Sequence, residues 1–131
     1  MNMSELTELV DFPDYWAHPN GSIYSTKVSP RYNPKGELRL LQPSYNKSGY
    51  LYYGLFVDRP NNKSKRYWPR AHKLIYQTFI GEIPDGVEID HYDDNRHNNS
   101  VDNLKLLTHS QNMLKAYARK RALKQQTNVH N

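Results

Sequence analysis

Short apolar runs separated by turn residues occupy the first half of the chain. Four runs of strand length, at residues 22–28, 37–42, 49–57 and 64–68, are rich in Tyr, Leu, Val and Ile. Clusters of Pro, Asn, Gly and Ser separate the runs, and these residue types favour turns because their backbones or side chains stabilise turn conformations. The pattern predicts an antiparallel β meander in which each run pairs with the next.

After residue 69 the spacing of the apolar positions becomes helical. Four positions fall near one face of a helix predicted over residues 70–81: Leu74, Ile75, Thr78 and Phe79. His72 lies in the first turn of this helix, where it either anchors the helix against the sheet or serves as a ligand. Beyond the helix, the sequence predicts a turn at residues 83–86, a strand at 87–91, a polar loop at 93–102 and a strand at 103–107.

The last predicted helix has a well-defined start. Thr108 and Gln111 fit a capping box, T-x-x-Q, in which each side chain bonds to the backbone amide of the other residue. This start places Asn112 just inside the helix. Three later positions are expected to face the core: Met113, Ala116 and Tyr117. A basic stretch follows them, and residues 126–131 are expected to form a frayed tail.

Charge is distributed unevenly along the chain. The net charge is +5, and the acidic residues concentrate between residues 82 and 102, with basic residues on both sides. Basic flanks around an acidic centre suit a polyanionic substrate that is held at its backbone, with a cation at the centre. A basic soluble protein of another kind would have the same composition, so charge alone leaves both interpretations open.

Length and composition exclude several classes of protein. With 131 residues, the chain is expected to form one folded body made of a β-rich module at residues 1–70 and a second unit at 71–125. There is no cysteine, so a disulfide framework and a thiolate zinc site are both excluded. No apolar run approaches the roughly 20 residues of a membrane span. The N-terminus lacks the basic-then-apolar order of a secretory signal, and the expected location is the cytoplasm.

The segment from residue 87 to residue 112 carries the most specific chemical pattern. Asp90 and His91 are adjacent, Asn103 follows a polar loop, and Asn112 opens the last helix. Hydrolysis of a phosphodiester needs a base for water and a positive centre for the developing charge. The reference pKa of histidine, about 6.5, leaves neutral imidazole available as that base. Asp90 and Asn112 offer the hard oxygen ligands that Mg²⁺ or Mn²⁺ prefers.

Taken singly, each of these residues is more often structural, but the set resembles the HNH family of DNA endonucleases, and most closely its phage-type homing enzymes. The resemblance covers residues 71–113 and implies an α+β fold with a ββα-metal motif, two strands and a helix around one divalent cation. The roles it implies are metal ligand for Asp90 and Asn112, general base for His91, and orientation of that histidine across the loop for Asn103. The family usually has histidine at the last position, which leaves His109 as an alternative metal ligand.

The first half of the chain resembles, more weakly, the β-rich DNA-contacting module that precedes the core of such enzymes. The matching positions are residues 15–16, 21–25, 48–50 and 71–74. Eight basic side chains are expected to contact DNA: Lys63, Lys65, Arg66, Arg70, Arg96, Lys115, Arg119 and Lys120. Phosphate contacts of this kind give a salt-dependent affinity rather than base recognition. Arg96 is equally compatible with a solvent-facing position.

The sequence is therefore interpreted as that of a metal-dependent DNA endonuclease of the homing type. The resemblance implies Mg²⁺ or Mn²⁺ as cofactor, double-stranded DNA as partner, and products with 5′-phosphate and 3′-hydroxyl ends. The location would be the host cytoplasm if a phage encodes the chain. The alternative is a non-catalytic DNA-binding remnant of the same family. The sequence leaves open whether one strand or both are cut, and whether the protein is a monomer or a homodimer.

Overall fold

Short antiparallel strands make up the first half of the fold. The computed structural model describes residues 5–60 and 63–128, with side chains described as far as residue 124. Four strands form one antiparallel sheet in chain order: β1 (Thr7–Glu8), β2 (Tyr15–Ala17), β3 (Ile23–Ser25) and β4 (Arg39–Leu40). Two antiparallel pairs follow: β5 (Ser44–Tyr45) with β6 (Leu51–Tyr52), and β7 (Leu55–Arg59) with β8 (Lys63–Tyr67).

The second half consists of a helix, a strand pair and a longer helix. Its elements are α1 (Ala71–Phe79), β9 (Val87–His91), a 3-10 turn (Val101–Asn103), β10 (Leu104–Thr108) and α2 (His109–Asn128). In the antiparallel pair of β9 and β10, His91 lies opposite Leu104 and Val87 lies opposite Thr108. The predicted α+β class is confirmed, and β9, β10 and α2 follow one another in the predicted order of strand, strand and helix.

The predicted β meander is right in its antiparallel direction, but the strands are shorter and more divided. The run at residues 49–57 forms two strands, because the N–H of Tyr53 donates to the carbonyl of Pro69 instead of continuing a ladder. At Gly54, a Cβ atom would lie 2.6 Å from Nε of Arg66, so no larger residue fits this position without a shift. Both β1 and β2 lie outside the predicted runs, and the turn predicted at 59–62 falls partly outside the described residues.

One hydrophobic core joins the two halves of the chain. Ile23 and Leu55 from the strands and Ile75 from α1 are completely buried in it, and Leu104 from β10 extends it to the second strand pair. Complete burial of an aliphatic side chain of this size contributes roughly 1.5–3 kcal/mol. Because α1 packs against β1, β2 and β6, the helix carries the start of the second half onto the first sheet.

A tight turn before β3 contacts the loop that precedes β10. The N–H of Val101 donates to the carbonyl of Pro19 at 2.8 Å. Gly21, with φ at +98°, lies against the backbone of Asn99, where a Cβ atom would be only 2.8 Å from the carbonyl carbon. Only glycine adopts such a backbone angle readily and permits so close an approach. The first sheet therefore fixes the position of the polar loop.

His72 is buried in the first turn of α1. Its ring centroid lies 5.3 Å from that of Tyr50 and 5.4 Å from that of His91. Burial, reinforced by the charges of His91, Lys73 and Arg70, lowers the pKa of His72 to about 4. The imidazole is therefore neutral near pH 7, and it packs α1 against the elements around it.

The start of α2 is as predicted, but the face that it presents to the protein is not. The capping box is confirmed, because the N–H of Thr108 donates to Gln111 Oε1 and the N–H of Gln111 donates to Thr108 Oγ1, at 2.8 and 3.1 Å. The prediction that Met113, Ala116 and Tyr117 face the core is wrong, since all three are exposed. The reason is that β9 presents carboxylates to this helix, and these bind its polar residues.

The tail predicted at residues 126–131 is helical as far as Asn128, and residues 129–131 lie outside the described part of the chain. Within the described residues, no helix combines the length and the apolar character that crossing a membrane requires.

The contact at Gly21 predicts a stability difference between two glycine substitutions. Gly21→Ala should lower the free energy of unfolding by about 2 kcal/mol or more, because it adds a steric conflict with the Asn99 backbone to the strain of a positive φ. Gly86→Ala is the matched control, since Gly86 has a φ of +81° and no atom within 4 Å of the added Cβ; its loss should be about 1 kcal/mol. Urea unfolding measures both, and equal losses would contradict the close contact.

The burial of His72 predicts that stability depends on pH. The pKa of His72 is lowered from 6.5 to about 4 by folding, so the unfolded chain binds more protons between these values. Stability from this group is therefore complete above pH 6.5 and falls as the pH is lowered toward 4, in total by on the order of 2–3 kcal/mol. His72→Phe, which keeps a ring at the position, should remove this part of the loss. Identical pH profiles of urea unfolding for the two proteins would disprove the assignment.

Candidate active site

An open cleft of about 710 Å³ lies between α1, β9 and α2. Asp90, His91 and Asn112, three of the residues singled out in the sequence, line it together. Its other lining side chains include both rings and charges: Tyr50, His72, Asp94, Arg70, Lys73, Arg96 and Arg119. The fold therefore places the adjacent acid and imidazole of β9 and the amide of α2 around one space.

Asp90 and His91 lie at the end of β9, where neighbouring side chains point to opposite faces of the strand. The Asp90 side chain is 18% exposed and faces α2. His91 is only 4% exposed and turns toward the core and α1. Since both residues line the cleft, one strand end delivers a carboxylate and an imidazole to it from two sides.

The ring of His91 is held by one hydrogen bond and two aromatic neighbours. Nε2 of His91 lies 2.8 Å from Oδ1 of Asn99, inside the protein. An amide oxygen can only accept, so Nε2 carries the hydrogen of the neutral ring and Nδ1 keeps its lone pair. The centroids of Tyr50 and His72 lie 6.1 and 5.4 Å from that of His91 and leave little room for rotation.

The expectation that Asn103 orients His91 is therefore corrected, because the amide that bonds the ring belongs to Asn99. Asn103 bonds across the loop, as expected, but to other partners. Its Nδ2 donates to Asp93 Oδ1 at 2.9 Å and to the carbonyl of Asn98 at 2.8 Å, and its Oδ1 accepts from the N–H of Asp93. Asn103 closes the loop that contains Asn99, and its effect on His91 is indirect.

Asp93 is the acceptor at the centre of this loop. Hydrogen bonds from the Asn98 side chain, the Asn95 backbone and the Asn103 side chain hold the pKa of Asp93 below its usual value. Both carboxylate oxygens are used in this way, at 2.8–2.9 Å. Asp93 therefore shapes the loop rather than facing the cleft.

One face of α2 meets the carboxylates of β9. Nδ2 of Asn112 donates to Oε2 of Glu88 at 2.5 Å, and Nζ of Lys115 donates to Oδ2 of Asp90 at 2.5 Å. Glu88 and Asp90 are two residues apart on the strand, and Asn112 and Lys115 are three apart on the helix, so each pair shares one face. These polar contacts fix the angle at which α2 leaves the strands.

His109, the alternative metal ligand, is not among the residues that line the cleft. Its side chain is 75% exposed, and Nδ1 lies 3.9 Å from the Glu88 carboxylate. Asn112 is the residue of the two that lines the cleft beside Asp90.

The donors in the cleft fit a hard divalent cation with few protein ligands. In the described part of the chain, no group of three or more His, Cys, Asp or Glu is arranged to hold a metal. Asp90 already attracts a cation, the ammonium of Lys115. Because Asn112 uses its Nδ2 on Glu88, its Oδ1 remains as an oxygen donor. One carboxylate and one amide oxygen are the ligand types that Mg²⁺ and Mn²⁺ prefer.

The basic residues predicted to contact DNA fall into three places. Lys63 and Lys65 lie exposed on β8, on the opposite face from Arg66, whose guanidinium stacks on Trp68 at 4.0 Å. Arg70 and Arg96 reach the cleft and stack on Tyr50, and Arg96 also donates to the carbonyl of Ser48. Three residues belong to α2: Lys115, Arg119 and Lys120, of which Lys120 is exposed and the other two pair with acids.

Two further residues of the site were not identified as such from the sequence. Asn99 was interpreted only as a loop-shaping residue, since the sequence does not distinguish the one buried amide among several neighbouring Asn residues. Glu88 could have been found, because it is two residues before Asp90 and so shares a face of the same predicted strand.

Comparisons with known proteins agree with this geometry. Residues 70–114 match the family model described as HNH endonuclease. The chain is 26% identical over 117 residues to the H-N-H endonuclease F-TflII of Escherichia phage T5, across 88% of this chain and 53% of that protein. It is 30% identical over 108 residues to YosQ of the SPbeta prophage of Bacillus subtilis (strain 168), which is named for the HNH homing endonucleases, across 82% of this chain and 54% of YosQ.

The same fold occurs in a solved structure, titled for DNA binding and cleavage by the HNH homing endonuclease I-HmuI. The TM-score is 0.67 at 24% identity, over 94% of this chain and 65% of that one. The chain spans about half the length of the curated relatives it matches. The matched segment contains the four residues on which the site was predicted: Asp90, His91, Asn103 and Asn112. Residues 70–114 of this chain belong to the HNH endonuclease family.

Proposed function

We propose that this protein is a metal-dependent DNA endonuclease in which His91 activates water and Asp90 and Asn112 hold one divalent cation. The observation that carries the proposal is the arrangement of the cleft. A buried imidazole and a carboxylate from one strand end face the same space as an amide from α2, and basic side chains border it. A base, a cation site and a phosphate-binding border are the three components that phosphodiester hydrolysis requires.

The tautomer of His91 suits the role of general base. With the hydrogen on Nε2 donated to Asn99, Nδ1 is free to accept the proton of an attacking water. The hydroxide adds to phosphorus as the bond from phosphorus to the 3′ oxygen breaks. The products are then a 5′ phosphate and a 3′ hydroxyl, the latter completed by a proton from solvent. Asn99 would act as a positioning residue, because it holds the ring without touching the substrate.

Asp90 and Asn112 are the proposed ligands of the cation. A divalent ion bound there would supply the positive charge that offsets the negative charge developing on the phosphoryl and leaving oxygens. Two protein ligands leave the remaining positions of an octahedral site for water and phosphate oxygens. His109 is the weaker candidate because of its exposed position outside the cleft.

Double-stranded DNA is the proposed substrate. Four cationic side chains border the cleft: Arg70, Lys73, Arg96 and Arg119. Lys63 and Lys65 on the exposed β8 strand extend this positive surface beyond it. Cations arranged in this way bind phosphates without reading bases, so affinity should fall steeply with salt. The relatives named as endonucleases support the same substrate class.

A test of the proposal is cleavage of supercoiled plasmid. With Mg²⁺ or Mn²⁺ the protein should nick the plasmid, and EDTA should abolish the reaction. His91→Ala should lower the rate by roughly 10²–10⁴-fold, the usual contribution of a general base, and should leave DNA binding nearly unchanged. Nicking should precede linearisation, because one cleft per chain acts on one strand at a time.

Two further variants separate the roles in this test. Asp90→Asn and Asn112→Ala should weaken the dependence on metal more than the affinity for DNA. Retarded but uncut DNA with every metal would instead favour the non-catalytic DNA-binding remnant. Equal loss of binding and cleavage in His91→Ala would indicate a folding defect rather than a missing base.

A second prediction concerns Asn99. Asn99→Leu removes the acceptor of His91 Nε2 at nearly constant volume, and it should lower kcat by about 10–100-fold, as loss of a residue that orients a catalytic group typically does. Asn99→Asp keeps an oxygen acceptor and should recover much of the loss. The measurement is single-turnover cleavage at saturating protein, with urea unfolding as a control for stability. A rate in Asn99→Leu equal to that of the unaltered protein would rule out the positioning role.

A further inference from the structure

The ammonium of Lys115 occupies the space beside Asp90. Its Nζ lies 2.5 Å from Oδ2 of Asp90, 3.0 Å from Oδ1 of Asp94 and 3.5 Å from the carbonyl oxygen of His91. Three oxygens around a cation at these distances form a small coordination shell. The side chains of Lys115 and Asp90 are 30% and 18% exposed, so this ion pair is partly shielded from water.

The other cations of α2 do not share this arrangement. Arg119 pairs with Asp94 at 2.6 Å, one turn further along the helix, and has no printed contact with Asp90. Lys124 is exposed on the same helix. Lys115 is therefore the cation of α2 that meets the carboxylate of the proposed metal site.

The spacing along α2 links this ammonium to the other proposed ligand. Asn112 and Lys115 are three residues apart and lie on one face of the helix, where they contact Glu88 and Asp90 of β9. A divalent ion that binds Asp90 and Asn112 must enter beside Lys115. Two cations held on one carboxylate repel each other strongly in a partly shielded site. The ammonium sits at the end of a flexible four-carbon chain, so it can withdraw toward solvent.

We propose that Lys115 is a tethered cation that holds Asp90 while no divalent ion is bound and is displaced when the ion enters. This inference rests on the proposed function, because it takes Asp90 as a metal ligand. Lys115 lowers the affinity of the free protein for metal, since the ion must first release an ion pair. It also keeps Asp90 neutralised in the metal-free protein, which reduces the repulsion between this carboxylate and an approaching DNA phosphate.

The test is binding of Mn²⁺ to the full chain without DNA, followed by electron paramagnetic resonance of the free ion. Lys115→Met keeps most of the stem and removes the charge, and it should bind Mn²⁺ on the order of tenfold more tightly. This factor corresponds to the release of a partly exposed ion pair. Lys124→Met is the matched control, because it removes the same charge from an exposed position of α2 and should change the affinity little. Lys115→Arg keeps the charge and should bind no more tightly than the unaltered protein.

The outcomes distinguish this inference from the proposed function. Equal Mn²⁺ affinities in Lys115→Met and the unaltered protein, both abolished by Asp90→Asn, would overturn the tethered cation and leave the metal site intact. Weaker binding in Lys115→Met would also overturn it, since Lys115 would then support Asp90 as a ligand. Mn²⁺ binding that survives Asp90→Asn would overturn the ligand assignment, and this inference with it. Circular dichroism of each variant excludes unfolding as the cause of a change.

Discussion

The site depends on how one imidazole is buried. A histidine ring taken out of water needs a partner for each polar nitrogen that water no longer reaches, or its burial becomes strongly unfavourable. His91 meets this requirement through Asn99, and of the described residues none has a buried side-chain nitrogen or oxygen without a hydrogen-bond partner. Asn99 in turn is fixed because Gly21 presses against its backbone and Asn103 closes its loop. The orientation of the ring thus depends on a turn in the first sheet, far away in sequence.

The last helix is attached by a different kind of interaction. Its start is set by its own capping box, but its contact with β9 consists mainly of hydrogen bonds and ion pairs of Asn112, Lys115 and Arg119. Partly exposed ion pairs contribute only about 0–1 kcal/mol each, much less than the burial of an apolar helix face. The contacts can therefore exchange partners at low free-energy cost. This explains why Met113 and Tyr117 remain exposed on a helix that is nonetheless well defined.

The parts of the structure that local patterns determine could be predicted from the sequence. The capping box of Thr108 and Gln111 and the strand at residues 87–91 depend on neighbouring residues, and both are as predicted. The face of α2 could not be derived in this way, because helical periodicity assumes an apolar neighbour and β9 offers Glu88 and Asp90 instead. The partner of His91 also depended on tertiary structure. Asn99 becomes that partner only because the Gly21 turn positions its backbone, a contact between residues about 80 positions apart.

The two catalytic components of the cleft are therefore supported in opposite ways. His91 is enclosed by groups that cannot move without disturbing the core, so the direction of its lone pair is preserved whatever occupies the cleft. Asp90, its immediate neighbour, is held by an ammonium on a flexible chain, which a stronger cation can replace. The alternation of a β-strand makes this division possible, since adjacent side chains face different environments. A nuclease that keeps its base rigid and its cation site exchangeable can bind metal without losing the geometry that activates water.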